Sequence, residues 1–137
     1  MTTRTSARLT GTVLITLLLL APGFVTAAMP RCAQCGMMVD EHAPFSAKMT
    51  EGGATTHFCD IGDLLAYLKA KKGSPSAAVV KDYPSGATLE ATKAIFVKSP
   101  KNFHTPMGWG IAAFQDRKVA ETFGTALDLD AIIKQLN

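Results

Sequence analysis

Two thiols and two thioethers lie within one short stretch of this sequence, CAQCGMMVD, at residues 32–40. The thiols are Cys32 and Cys35, and the thioethers are Met37 and Met38. Cysteine and methionine sulfurs are soft ligands, which select Cu(I) over the hard cations that carboxylates bind. The stretch therefore predicts a protein that handles a thiophilic metal ion, with Cys32, Cys35 and Met37 as candidate ligands.

Three residues further along the chain could complete such a site. Met107 lies between proline and glycine in a predicted loop, where a flexible apolar side chain gains little from core packing. His104 is three positions before it and offers a neutral imidazole nitrogen. Cys59 is a further candidate thiol, although a buried, inert thiol beside a surface His57 is the favoured explanation of that pair. We expect the CxxC stretch to supply half of the site and Met107 with His104 the rest.

The cysteine count leaves a second interpretation of the thiols open. Cys32, Cys35 and Cys59 are three, so they cannot all pair within one chain. In an oxidising compartment, Cys32 and Cys35 could form a disulfide while Cys59 stays buried. Such a short loop gains little stability from cross-linking, which favours the metal interpretation.

The first half of the predicted domain consists of a hairpin, a helix and a short strand. Residues 45–50 and 54–59 flank a Glu-Gly-Gly turn and predict two antiparallel strands. Asp60 is placed to cap a helix whose apolar face recurs at helical spacing and which we expect to end at Gly73. Residues 77–80 follow as a short buried strand.

The second half predicts a similar order of elements. Strands are expected at residues 93–98 and 110–114, separated by a loop, and Asp116 caps a short helix that ends at Gly124. An amphipathic helix follows Asp128. We therefore predict a single α+β domain of two similar ββαβ units.

The N-terminal segment predicts export. Residues 1–28 combine Arg4 and Arg8 with an apolar run at residues 13–21 and a small-residue cleavage site. The run is about half the length of a membrane-spanning helix, which favours a cleaved signal peptide over an anchor. No lipid-attachment box precedes Cys32 and no twin-arginine pair is present. We expect a Sec-type signal and a periplasmic or otherwise extracytoplasmic domain at residues 29–137, touching the membrane only if the signal is retained.

Composition excludes several function classes. The formal charge of +3 falls to about +1 without Arg4 and Arg8, so the domain has no basic footprint for nucleic acid. We find no Ser-His-Asp arrangement and no paired carboxylates in an apolar setting. The sequence therefore predicts a binding protein and not an enzyme.

Several motifs together resemble a known family. CxxCGM at residues 32–37 is followed by Phe58-Cys59 before an acidic, Leu-rich helix, and Pro-Met-Gly at 106–108 precedes Ala113-Phe114. In order and spacing this is similar to the NosL family of copper chaperones for nitrous oxide reductase. The resemblance implies two ββαβ units, Cu(I) bound by Cys, Met and His, and delivery to a client copper enzyme. Some relatives have a His two positions after the Pro-Met-Gly methionine, where this chain has Trp109.

Two other functions remain open from the residues alone. A structural zinc site could use Cys32, Cys35, Cys59 and His57 as a Cys₃His set. A thiol oxidoreductase would need its CxxC at the start of a helix, preceded by a strand, and the sequence around Cys32 predicts neither.

Overall fold

The computed structural model describes residues 28–70 and 72–136, so the predicted signal segment lies outside the described residues except for Ala28. Six strands and three helices follow one another in the described part of the chain. They are β1 (Ala47–Glu51), β2 (Ala54–Phe58), α1 (Ile61–Lys69), β3 (Ala78–Lys81), β4 (Thr88–Glu90), β5 (Ile95–Lys98), β6 (Ile111–Phe114), α2 (Arg117–Glu121) and α3 (Leu129–Lys134). Among the residues described, no helix is long and apolar enough to span a membrane.

The first half contains the predicted ββαβ arrangement. β1 pairs antiparallel with both β2 and β3, and β3 pairs with β4, so the strand order in this sheet is β2-β1-β3-β4. β1 buries Ala47 and Met49 and exposes Lys48 between them, because successive side chains of a strand point to opposite faces. The α+β class is confirmed.

The second half keeps the same order with a shorter last strand. β5 and β6 form a separate antiparallel pair, and α2 follows. After α2, Leu127 exchanges two backbone hydrogen bonds with Phe96 of β5, at 2.7 and 2.9 Å. The third strand of the second unit is thus reduced to a single bridged residue, and the expectation of two full ββαβ units holds only for the first.

Helix α1 begins where the sequence predicts and ends earlier. The Asp60 carboxylate accepts a hydrogen bond from the Gly62 backbone N–H, as expected of an N-cap. The helix ends at Lys69 with Ala70 as its C-cap, so the predicted end at Gly73 is wrong. The backbone N–H of Lys72 already donates to the Tyr67 carbonyl, a wider turn that cannot continue the α-helix.

Strand β4 is an element that the sequence analysis did not predict. It has three residues and exposes both Thr88 and Glu90, so it lacks the apolar alternation that marks a strand. Its conformation depends on pairing with β3, a long-range contact that local composition does not encode.

Two apolar clusters form the core. The larger lies between α1, α3 and both sheets and includes Phe58, Leu64, Phe96 and Ile132. The smaller is aromatic, with rings from Phe103, Phe114, Tyr83 and Phe123 whose centroids lie 5.0 to 6.1 Å apart. Helix α1 contacts strands of both sheets, so its N-terminus lies where the two halves of the fold meet.

The start of α1 packs tightly against the loop that precedes β6. A Cβ atom built on Gly62 would lie 1.9 Å from Cγ of Trp109, so only glycine leaves room for the indole at this position. The contact joins the first unit to the second. Because the ring belongs to the chain's single tryptophan, its spectrum reports on this contact directly.

We predict that Gly62→Ala lowers the free energy of unfolding by about 1–3 kcal/mol, the usual cost of overpacking, despite the better helix propensity of alanine. Urea unfolding measures the loss, and near-UV circular dichroism shows displacement of Trp109. Gly86→Ala is the control: Gly86 has φ +72° with open space around it, so alanine there costs about 1–2 kcal/mol. An unchanged Trp109 signal in Gly62→Ala would contradict the prediction.

Candidate metal site

The CxxC stretch forms a tight hairpin beside β2. Arg31 pairs with Met38, the Cys32 N–H donates to the Met37 carbonyl at 2.7 Å, and the Gly36 N–H donates to the Cys32 carbonyl at 2.9 Å. Gly36 has φ +75°, a left-handed conformation that side chains disfavour. The hairpin is attached to β2 because the Ala33 N–H donates to the His57 carbonyl at 2.9 Å. Cys32 therefore lies alongside the end of β2.

The three thiols converge at the start of α1. Cys59 follows the last residue of β2 and precedes the N-cap of the helix. Its sulfur lies 3.4 Å from the Cys35 sulfur. The donor atoms of Cys32, Cys35, Cys59 and Asp63 all lie within 4.8 Å of one another. We call these four residues the thiol–carboxylate cluster. All three cysteines are free thiols in the structure.

Asp63 is buried at the centre of the cluster, with 2% of its surface exposed. Its Oδ2 atom accepts hydrogen bonds from the Cys32 thiol at 3.4 Å and from the Cys59 thiol at 3.6 Å. Its Oδ1 atom accepts a hydrogen bond from the Trp109 indole N–H at 3.0 Å. The carboxylate thus contacts three segments of the chain that are far from one another in sequence, those of Cys32, Cys59 and Trp109.

The thiols differ in acidity. Burial is the largest effect on Cys35 and by itself raises its pKa, but hydrogen bonds from the Met37 backbone N–H and from the thiols of Cys59 and Cys32 outweigh it. The pKa of Cys35 therefore lies below its ordinary value. Burial, followed by the neighbouring thiols, raises the pKa of Cys59 well above its ordinary value. Cys35 is also the more exposed of the two, so it is the sulfur best placed to meet an incoming ion.

A second aspartate holds the loop of Met107 beside the cluster. Asp60 is fully buried, and its Oδ2 atom accepts a hydrogen bond from the Met107 backbone N–H at 2.9 Å while Oδ1 caps the helix. Because Asp60 follows Cys59 directly, this bond fixes the backbone of Met107 near the thiols. The Met107 side chain itself is 44% exposed.

Comparisons with known proteins identify the family and a similar fold. The NosL family model matches residues 26–128. The chain belongs to the NosL family. The fold is similar to that of the crystal structure of the copper chaperone NosL from Shewanella denitrificans, with a TM-score of 0.62, 22% sequence identity, and coverage of 76% of this chain and 92% of that one. A search of curated proteins found no match.

In this NosL-family chain, the structure brings three of the six predicted site residues into the thiol–carboxylate cluster. Cys32, Cys35 and Cys59 are brought together. Met37 lies at the rim with its side chain 43% exposed, and Met107 is anchored nearby through its backbone. The side chain of His104 is exposed and is not part of the thiol–carboxylate cluster.

His57 lies outside the cluster, so the structure does not assemble the Cys₃His set considered from the sequence. Its Nδ1 atom is 3.2 Å from Glu41 Oε1, close enough for an ion pair but without hydrogen-bond geometry. Strand β2 ends at Phe58, so Cys59 lies just beyond the strand that carries His57, and the two side chains are not held on one face of it.

Asp63 is the member of the cluster that the sequence analysis overlooked. An acid in the first turn of a helix is common, because it interacts favourably with the helix dipole, and so its position alone does not indicate a site. A signal was present: Asp63 is four residues after Cys59 and is flanked by Gly62 and Leu64, an acid within an otherwise apolar turn.

The geometry does not favour a thiol oxidoreductase. Such enzymes place the CxxC at the N-terminus of a helix, which depresses the pKa of a thiol. Here the CxxC is in a hairpin turn, and the cysteine next to a helix start is Cys59, whose pKa is raised.

We predict that iodoacetamide modifies Cys35 first and Cys59 last in the metal-free protein near neutral pH. The thiolate is the reactive form, and a lowered pKa provides it at lower pH than a raised pKa does. Peptide mass spectrometry over a time course and a pH series measures the order. In urea the three cysteines should react at similar rates, and equal rates in the folded protein would contradict the prediction.

We also predict that oxidised glutathione, through thiol–disulfide exchange, links Cys35 to Cys59 in preference to Cys32. The sulfurs of Cys35 and Cys59 are already 3.4 Å apart, so an attacking thiolate has its partner within reach without rearrangement of the site. Non-reducing peptide mapping identifies the linkage. Cys32→Ser should still form it and Cys59→Ser should not, while a dominant Cys32–Cys35 linkage would overturn the prediction.

Proposed function

We propose that this chain is an extracytoplasmic copper chaperone, which binds Cu(I) and delivers it to a copper enzyme such as nitrous oxide reductase. The observation that carries the proposal is the convergence of three free thiols within 4.8 Å in a chain of the NosL family. Cu(I) selects soft sulfur ligands. The candidate ligands are Cys32, Cys35 and Cys59, with Met37, Met107 and His104 available to complete the site.

The position of the sulfurs suits an ion that must be released again. Cys32 and Cys59 are buried, which excludes water, while Cys35 is partly accessible. Met37 and Met107 expose 43% and 44% of their surfaces, although methionine is usually a core residue. A thioether at the rim could share the ion with an incoming ligand of the client protein while a thiolate still holds it. Transfer would then proceed by stepwise ligand exchange without a free ion.

The relative supports the choice of cargo. The Shewanella denitrificans protein of similar fold is described as a copper chaperone. The features of residues 1–28, which lie almost wholly outside the described structure, support delivery outside the cytoplasm by a Sec-type route. Nitrous oxide reductase is the client that the family resemblance suggests.

We predict that the reduced protein binds Cu(I) and that Cys35→Ser and Met107→Leu each weaken binding by about tenfold or more, which equals about 1.4 kcal/mol. His57→Ala should bind as the wild type does, because His57 faces Glu41 and lies outside the cluster. A competition titration against a chromogenic Cu(I) chelator measures all four proteins. If the wild-type protein fails to retain Cu(I) and copurifies with zinc, the copper proposal is wrong.

Structural zinc is the second candidate, favoured by the four donors of the thiol–carboxylate cluster. Zinc in structural sites takes four ligands from Cys, His and carboxylate side chains. The two candidates differ in what a chelator does: removing a structural zinc unfolds such domains, whereas a copper chaperone must remain folded without its cargo. Circular dichroism before and after chelation separates them.

A further inference from the structure

The carboxylate of Asp63 is an unfavourable ligand for Cu(I). Carboxylate oxygens are hard ligands suited to magnesium, calcium or manganese, and Cu(I) prefers sulfur. Burying a carboxylate is also costly unless its oxygens accept hydrogen bonds. Asp63 is nonetheless 2% exposed and lies within reach of three sulfurs. Its presence therefore calls for a role other than that of a ligand to Cu(I).

The hydrogen bonds of Asp63 suggest that role. Oδ2 faces the thiols and accepts from both Cys32 and Cys59, the two buried sulfurs. Oδ1 faces away from them and accepts from the indole of Trp109 at 3.0 Å. The carboxylate is thus held on one side and orients sulfurs on the other, which is the arrangement of a group that positions ligands.

Trp109 is itself fixed by packing. The indole lies against Gly62, where a Cβ atom would come within 2.4 Å of Cβ and Cδ1 of the tryptophan and closer still to Cγ. The ring therefore cannot move toward the helix, and its N–H remains directed at Asp63. Because Trp109 is held in place, the Asp63 carboxylate keeps a fixed position relative to the sulfurs.

We propose that Asp63, held by Trp109, is a positioning residue of the thiol cluster: it orients Cys32 and Cys59 toward Cys35 and does not itself bind Cu(I). This inference rests on the proposed copper-binding function. It adds a metal-selective element, because an ion that also accepts carboxylate ligands, such as zinc, would draw Asp63 into its coordination and break the bond to Trp109.

The test uses the full chain with Asp63→Asn and Trp109→Phe. Asp82→Asn is the matched control, since Asp82 is also a buried aspartate, and among the described residues its carboxylate accepts hydrogen bonds only from the Ser85 hydroxyl and the Gln115 backbone N–H. We expect Asp63→Asn and Trp109→Phe to weaken Cu(I) binding roughly 10–100-fold, the usual effect of removing a group that orients a metal ligand. Asp82→Asn should lower stability and leave the affinity unchanged.

Two further measurements separate positioning from a general structural effect. X-ray absorption of the Cu(I) protein should show sulfur neighbours without an oxygen at bonding distance, and a bonded oxygen would overturn the proposal. In the metal-free protein, Asp63→Asn should raise the alkylation rates of Cys32 and Cys59 relative to Cys35, since only those two thiols lose an acceptor. If Asp63→Asn does not fold, Trp109→Phe decides, because it retains an aromatic ring in contact with Gly62.

The outcomes distinguish this inference from the function on which it rests. Wild-type affinity in both Asp63→Asn and Trp109→Phe overturns the positioning role and leaves the copper chaperone intact. A wild-type protein that does not bind Cu(I) overturns both the positioning role and the proposed copper function. Equal loss of affinity in Asp82→Asn also overturns the positioning role, because it would show that any buried carboxylate matters equally.

Discussion

The buried carboxylate of Asp63 is the interaction on which the arrangement of the site depends. It accepts hydrogen bonds from the CxxC hairpin through Cys32, from the end of β2 through Cys59, and from the loop before β6 through Trp109. These segments belong to different parts of the chain, and Asp63 bonds to all three of them. The cost of burying the charge is reduced by these donors and by the N-terminus of α1, where the helix dipole favours an anion.

Asp60 and Asp63 each bind a different part of the loop at residues 105–110. Asp60 binds its backbone through the Met107 N–H, and Asp63 binds its aromatic side chain through the Trp109 indole. The loop is therefore fixed at two points while the thioether of Met107 stays exposed. Under the proposed function, a fixed backbone that presents an exposed, soft side chain would suit ligand exchange at the surface.

Local features of this fold could be predicted from sequence, and features that depend on distant contacts could not. The caps Asp60, Asp116 and Asp128 and the strand at residues 95–98 follow from short-range rules. The role of Asp63 was not predicted from sequence, because helical periodicity predicts burial on one apolar face only. The first turn of α1 is instead buried on all sides by the hairpin and the Trp109 loop. Strand β4 and the Leu127 bridge exist only through their partners.

The spacing of the site along the chain has a consequence for how it forms. The contacts from Cys35 to Cys59, Cys32 to Asp63 and Trp109 to Asp63 span 24, 31 and 46 residues. Contacts of such separation form only after the entropy of closing long loops has been overcome, and they are late events in chains of high contact order. An unfolded chain thus presents only the neighbouring sulfurs of residues 32–38. The complete thiol–carboxylate cluster is a property of the native topology, so a metal ion captured before folding would meet a different set of donors from one captured afterwards.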